Sequence, residues 1–231
     1  YPQPSPAAGG DLIRVALIYK PASLTPLGMA RVDLNEVYSR APLAQTFQVN
    51  ASGEVFSVVV NHFKSKSSCP LELDDANRDT GQGCWNELRI QQAEQLLEFV
   101  TRIQGASGDP DVLVIGDLNA YGAEDPIATL TAGGLTNLVA AQVPAQEQYS
   151  TIFDGQSGYL DHALATTSLT GQVVGAAFWH INADEPALID YNKEFKSVDF
   201  YAGHAYRSSD HDPLLVGLYR LYQYFFPLVG R

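Results

Sequence analysis

Short apolar runs that stop abruptly at acid, amide or imidazole side chains constrain this chain more than any other feature. Asp111-Val112-Leu113-Val114-Ile115 reads as a buried strand, and it ends at Gly116-Asp117-Leu118-Asn119-Ala120. With a period of two, Asp117 and Asn119 point the same way from that strand end. A second buried strand, Leu214-Leu215-Val216-Gly217-Leu218, is preceded by Ser209-Asp210-His211-Asp212-Pro213, which sets an imidazole beside carboxylates. A third run, Val55-Phe56-Ser57-Val58-Val59-Val60, closes at Asn61-His62-Phe63-Lys64-Ser65-Lys66. In Leu160-Asp161-His162-Ala163 an acid lies inside an apolar strand, where burial is costly unless the acid is paired. Strand ends that converge on one edge are how a sheet scaffold builds a site.

The rest of the chain supplies the frame. Leu12 to Tyr19 reads as a strand stopped by Lys20-Pro21, and residues 22–44 as irregular. Gln45 to Asn50 and Glu54 to Asn61 form a hairpin across Ala51-Ser52-Gly53. Trp85, Leu88, Ala93, Leu96, Leu97, Val100 and Ile103 recur at three- and four-residue steps, an amphipathic helix with Gly105 as its stop. Glu124-Asp125-Pro126 opens a short helix with Pro in the first turn. Strands follow at Tyr149 to Phe153 and Tyr159 to Ala165, joined by a loop over 154–158, then near Gln172 to Ile181; residues 182–207 are polar and irregular. Strands with a few helices between them predict a mixed α/β protein of packed sheets.

The 231 residues suffice for one large domain or two small ones, and with 45% hydrophobic residues a sizeable core is available. No apolar run reaches the roughly 18 residues of a membrane helix. A net charge of -12 works against non-specific attraction to nucleic acid without excluding it as a substrate. Cys69 and Cys84 flank a polar stretch without zinc-ligand spacing. They are two free thiols or one disulfide of an exported protein; their loop position and the lack of any other cysteine favour the disulfide. Residues 1–10 lack the basic start and apolar core of a signal peptide, and the chain begins with Tyr, so a processed product or a fragment is expected.

The polar strings have chemistry in common. Asp117 and Asn119 offer one anionic and one neutral oxygen to a hard cation, or they cap backbone groups in a turn. An imidazole such as His211 can activate water, and a carboxylate would orient it; Asp161 is a candidate partner. His62 could protonate a leaving oxygen, with Lys64 holding phosphate, whereas Lys66 reads as a solvated charge. Arg40 could clamp a phosphate bidentately. His180, in Phe178-Trp179-His180-Ile181, reads as a packed strand residue. Together the set suggests metal-assisted hydrolysis of a phosphoester.

Taken in order, these strings resemble the endonuclease/exonuclease/phosphatase superfamily, the deoxyribonuclease-like metal-dependent phosphoesterases. The resemblance is greater to its bacterial extracellular endonuclease branch. It rests on Ile13-Arg14-Val15-Ala16-Leu17-Ile18-Tyr19-Lys20-Pro21, Arg40-Ala41-Pro42-Leu43, Asn61-His62-Phe63-Lys64, Gly83-Cys84-Trp85-Asn86, Gly116-Asp117-Leu118-Asn119, Leu160-Asp161-His162, His180-Ile181-Asn182-Ala183-Asp184-Glu185-Pro186 and Arg207-Ser208-Ser209-Asp210-His211-Asp212-Pro213. The fold implied is α/β (α+β), a four-layer α/β/β/α sandwich lacking its first strands. Residues 1–10 would be a linker or loop, 11–218 the domain and 219–231 a C-terminal extension.

Residue by residue, the resemblance implies that His62 stabilises or protonates the departing oxygens. Asp117 and Asn119 position water, phosphate and metal, and Asp161 orients His211. Asp210 binds metal, and Arg40, with Lys64, contacts substrate phosphate. His162 faces away and has no catalytic role. The implied cofactor is a divalent cation, Mg2+ before Mn2+ or Ca2+; the substrate is DNA, with RNA in second place; the location is extracellular in a bacterium. The family's strand bearing a metal-binding Glu precedes the part that begins at Asp11, so this chain is expected to be weak or inactive alone. A phosphatase, a phospholipid phosphodiesterase and an inactive binding module are the alternatives.

Overall fold

Alternation along the central strands decides how the layers stack. The computed structural model describes residues 13–72, 74–189 and 204–218. Its elements run β1 (Leu24–Val32), β2 (Leu43–Val49), β3 (Val55–His62), α1 (Asn86–Ser107), β4 (Val112–Asp117), α2 (Asp125–Ala132), β5 (Leu135–Asn137), α3 (Leu138–Gln142), β6 (Thr151–Phe153), β7 (Gln156–Gly158), β8 (Asp161–Thr166), α4 (Thr167–Thr170), β9 (Val173–Phe178) and β10 (Leu214–Leu218). Six strands form one sheet in the order β1-β2-β3-β4-β8-β5, and β10 pairs with β9 in a second, two-stranded sheet. On β4, Val112 and Val114 pack with α1 side chains such as Leu96, Val100 and Ile103, while Leu113 and Ile115 face the other way, against Val173, Leu214 and Val216. Val59 of β3 and Leu164 of β8 join the helical side. Phe56 and Val58, and Ala163 and Ala165, join the opposite one. The period of two thus sorts apolar side chains into two cores on either side of a single sheet.

This is a mixed α/β architecture, with helices, main sheet and second sheet among the described residues. Val174 and Leu215 on the outer face of the β9–β10 pair are exposed, so no outer helical layer is seen among the described residues. The segments 1–10 and 219–231 lie outside the described residues.

Several local expectations are corrected. Residues 13–20 join none of the sheets among the described residues. Leu17 and Tyr19 still pack on the Phe47, Phe56 and Val58 cluster, so the alternating pattern reflects an extended segment laid on the core rather than a paired strand. Part of the stretch read as irregular is β1, an edge strand whose register slips between Leu27 and Arg31; Pro26 and Gly28 look like breakers, but an edge with a bulge tolerates both. Gly105 lies inside α1, which instead ends at Gly108 (φ 71°), whose N–H donates to the Gln104 carbonyl at 3.0 Å. The loop expected over 154–158 contains β7, which folds back on β6 around Asp154-Gly155. β5 and α3 carry too few residues for a period to show. Cys69 and Cys84 are disulfide-bonded.

Candidate functional site

Register brings three of the polar strand ends into one row. β3 pairs with β4 in parallel with His62 beside Asp117, and β4 pairs with β8 antiparallel with Asp117 beside Asp161. Neighbours in register share a face, so the three side chains lie at one end of the main sheet, on the face that packs against the second sheet. His62 Nε2 lies 3.5 Å from Asp117 Oδ2. The row is completed from the second sheet: His211, in the turn before β10, meets Asp161 Oδ2 with Nδ1 at 2.6 Å.

The electrostatics follow from burial and from the two carboxylates. Asp117 is pushed up to about 6 by desolvation and then by the like charge of Asp161, against the Asn119 backbone hydrogen bond and the charges of His211 and Arg40. His211 goes the other way. Burial lowers its pKa, but the hydrogen bond and charge of Asp161, with the charges of Asp117 and Asp210, outweigh that and lift it to about 9. At neutral pH the imidazole is therefore an imidazolium that donates to Asp161 and leaves Nε2 for other chemistry.

Asn119 reaches the site by a route other than strand alternation. β4 ends at Asp117, and Asn119 has left-handed backbone (φ 47°), a conformation asparagine tolerates. Asp117 Oδ1 accepts the Asn119 N–H at 2.7 Å, an Asx turn that folds the amide back towards the carboxylate. Asn119 Nδ2 donates to the Phe63 carbonyl at 3.1 Å and to Asp117 Oδ2 at 3.2 Å. Arg40 donates to that same Phe63 carbonyl at 3.3 Å, so its guanidinium is held beside the Asp117–Asn119 pair.

The remaining candidates are spread more widely. The Lys64 ammonium sits over the Trp85 ring, 4.8 Å from its centroid. Asp210 is exposed and acts on His211 through its charge. His162 is fully buried; its Nε2 lies 2.7 Å from the Ala120 carbonyl, and burial lowers its pKa to about 4, so it is a neutral packing residue facing the helices. Lys66 is not a solvated charge: its ammonium donates to Glu124 Oε1 at 2.7 Å and ties the β3 exit to the start of α2.

For a divalent cation, the oxygens of Asp117 and Asn119 have the right chemistry, and the close pair of Asp117 and Asp161 carboxylates would be relieved by positive charge. Among the described residues, however, no three His, Cys, Asp or Glu side chains converge as a metal cluster.

The model of the endonuclease/exonuclease/phosphatase family matches residues 22–211, which takes in the whole row from His62 to His211. The chain belongs to that family. Its members are hydrolases, among them phosphodiesterases and phosphatases, and they generally use divalent metals. Solved structures agree on the fold. A family protein from Bacteroides thetaiotaomicron is 13% identical with a TM-score of 0.56, covering 86% of this chain and 66% of its own. A mannosyl-6-phosphatase of the same organism is 15% identical (TM-score 0.56), covering 87% and 68%. D. rerio TDP2 complexed with a single-strand DNA product is 13% identical (TM-score 0.52), covering 84% and 67%. The chain thus spans about two thirds of the length of these family structures. No curated protein sequence matches it.

Arg89 carries no sequence signal of its own, and Asp212 is legible only as one of the carboxylates that flank His211. Arg89 reads as one more polar helix residue, yet it is fully buried and donates to the Cys84, Gln82 and Lys64 carbonyls, bracing the disulfide loop against the β3 exit. Asp212 reads as a turn acid next to Pro213, yet its carboxylate is fully buried. In both cases a charged residue is engulfed by distant backbone groups, which no local pattern announces.

Proposed function

We propose that this chain carries the hydrolytic row of an exported bacterial nuclease of the extracellular endonuclease branch, acting on phosphodiesters of nucleic acid, DNA first, and that its activity alone is weak. The observation that carries the reading is the row His62–Asp117–Asp161 closed by His211: two imidazoles and two carboxylates along one end of the main sheet, with Arg40 beside them. Asp161 fixes the ring of His211 through Nδ1, so Nε2 is the atom that takes the proton of an attacking water once the ring is neutral. His62, on the far side of Asp117, donates to the departing oxygen, the Arg40 guanidinium orients the phosphate, and the Asn119 amide holds the Asp117 carboxylate. A divalent cation, Mg2+ for this reading, would take oxygens of Asp117 and Asn119 together with Asp210 and supply charge neutralisation at the phosphoryl group. The disulfide supports an oxidising location.

The test is hydrolysis of bis(p-nitrophenyl) phosphate and plasmid DNA with and without Mg2+, beside p-nitrophenyl phosphate. Diester cleavage that needs Mg2+ and falls at least about 1,000-fold in His211→Ala is the expected result. Cleavage confined to the monoester would replace the nuclease reading with a phosphatase one. That second reading is favoured by one observation, the net charge of -12, which repels a polyanion far more than a small sugar phosphate.

A further inference from the structure

We infer that Asn182 and Asp212 are positioning residues that lock His211 onto Asp161 from the backbone side, an assignment that rests on the hydrolytic reading above. His211 sits in an irregular turn belonging to one sheet, and Asp161 opens a strand of the other. A single 2.6 Å hydrogen bond between two such elements would leave the ring free to drift.

Asp212 removes that freedom. A charged carboxylate with its side chain fully buried is tolerable only if it is hydrogen-bonded throughout. Oδ1 accepts the backbone N–H groups of Ile181, Asn182 and Ala183 at 3.1, 2.8 and 3.0 Å. Oδ2 meets His180 Nδ1 at 2.8 Å. The whole exit of β9 is thereby bound to the residue that follows His211. Asn182, itself buried, adds a bond on His211: its Nδ2 donates to the His211 carbonyl at 2.7 Å, while its Oδ1 accepts the Ser208 N–H at 3.1 Å.

The other partner is bracketed too. The Asp212 N–H donates to the Ser150 carbonyl at 2.7 Å, and Ser150 Oγ accepts the Leu160 and Asp161 N–H groups at 3.2 and 3.4 Å. One route that bypasses the imidazole, through Ser150, therefore ties the His211 turn to its carboxylate partner, while the Asn182 and Asp212 side chains hold that turn on the β9 exit. These side chains are spent on protein backbone, on His180 and on Ser208, so they act through His211. A misplacement of about 1 Å at a reacting group costs about 100-fold in rate.

The experiment uses the chain labelled with 15N-histidine, with the ring nitrogens of His211 read through its carbon-bound protons and assigned with His211→Gln. In Asn182→Ala the His211 ring signals move or split, the melting temperature stays within about 5 °C, and kcat for bis(p-nitrophenyl) phosphate falls about 100-fold with KM within about 2-fold. Asp212→Asn keeps an oxygen for the three N–H groups and recovers part of what Asp212→Ala loses. Should Asp212→Ala fail to fold, Asn182→Ala decides alone. Unchanged His211 signals and unchanged kcat in Asn182→Ala and Asp212→Asn overturn the assignment. Should the unaltered chain hydrolyse nothing while the His211 signals still move in Asn182→Ala, the positioning stands and the hydrolytic reading is what fails.

Discussion

At Asp117 the protein holds a carboxylate where ionisation is unfavourable. Its pKa of about 6 in the folded state lies above the ordinary 3.8, so the stability it contributes is present below pH 4 and is lost as pH rises through 6. Asp117→Asn keeps an oxygen for the Asn119 N–H and removes the repulsion with Asp161. At pH 7.5 this variant is expected to be more stable than the parent by about 1 to 3 kcal/mol in urea unfolding, while losing diester hydrolysis. His211 shows the same sign through a different group. Its pKa is raised from 6.5 to about 9, so the stability from pairing with Asp161 is complete below pH 6.5 and disappears as pH rises through 9. Unfolding free energies measured from pH 6 to 10 should therefore fall by about 1 to 3 kcal/mol more in the parent than in His211→Gln. The rate of hydrolysis should rise over the same interval, since Nε2 accepts a proton only from the neutral ring. Most of these side chains were legible as chemistry in the sequence because each closes an apolar run. What was not legible is how Asn119 arrives: the period of two suggested a strand, and the structure uses a left-handed residue and an Asx turn.

Elements set the spacing of the site through register, and Gly116 guards the most important one. It lies inside β4 with φ 134°, and a Cβ there would run into the Asn61 backbone of β3. Without that close approach, β3 and β4 cannot keep His62 level with Asp117. Gly116→Ala is expected to cost about 3 kcal/mol or more by chemical denaturation, against about 1 kcal/mol for Gly108→Ala at the end of α1, where only backbone strain is at issue. The apolar runs of β3, β4 and β10 and the helical period of α1 could be read from the residues. The edge strand β1 was masked by Pro26 and Gly28, and β5 and β7 are three residues each, too short for any pattern to stand out from turn composition, whereas β6 is the end of the run read as a strand from Tyr149 to Phe153.

For the whole molecule, the disulfide and the division into two sheets matter most. Cys69 and Cys84 close a loop of 15 residues that contains Gln82, whose carbonyl accepts a hydrogen bond from Lys66, and ends at the start of α1. Reduction under native conditions should lower unfolding stability by about 3 kcal/mol, checked by urea titration with and without dithiothreitol. The loop was visible in sequence as a polar stretch between two cysteines, whereas the buried Arg89 that braces it was not. The meeting of Asp161 with His211 has a consequence at this scale as well. One partner belongs to the six-stranded sheet and the other leads into the two-stranded one, so chemistry at this site requires the sheets to be seated on each other. Catalytic turnover then acts as a gauge of that seating: heat or denaturant that lets the smaller sheet slide will silence the protein while the larger sheet, with its helices, still gives a folded circular dichroism spectrum.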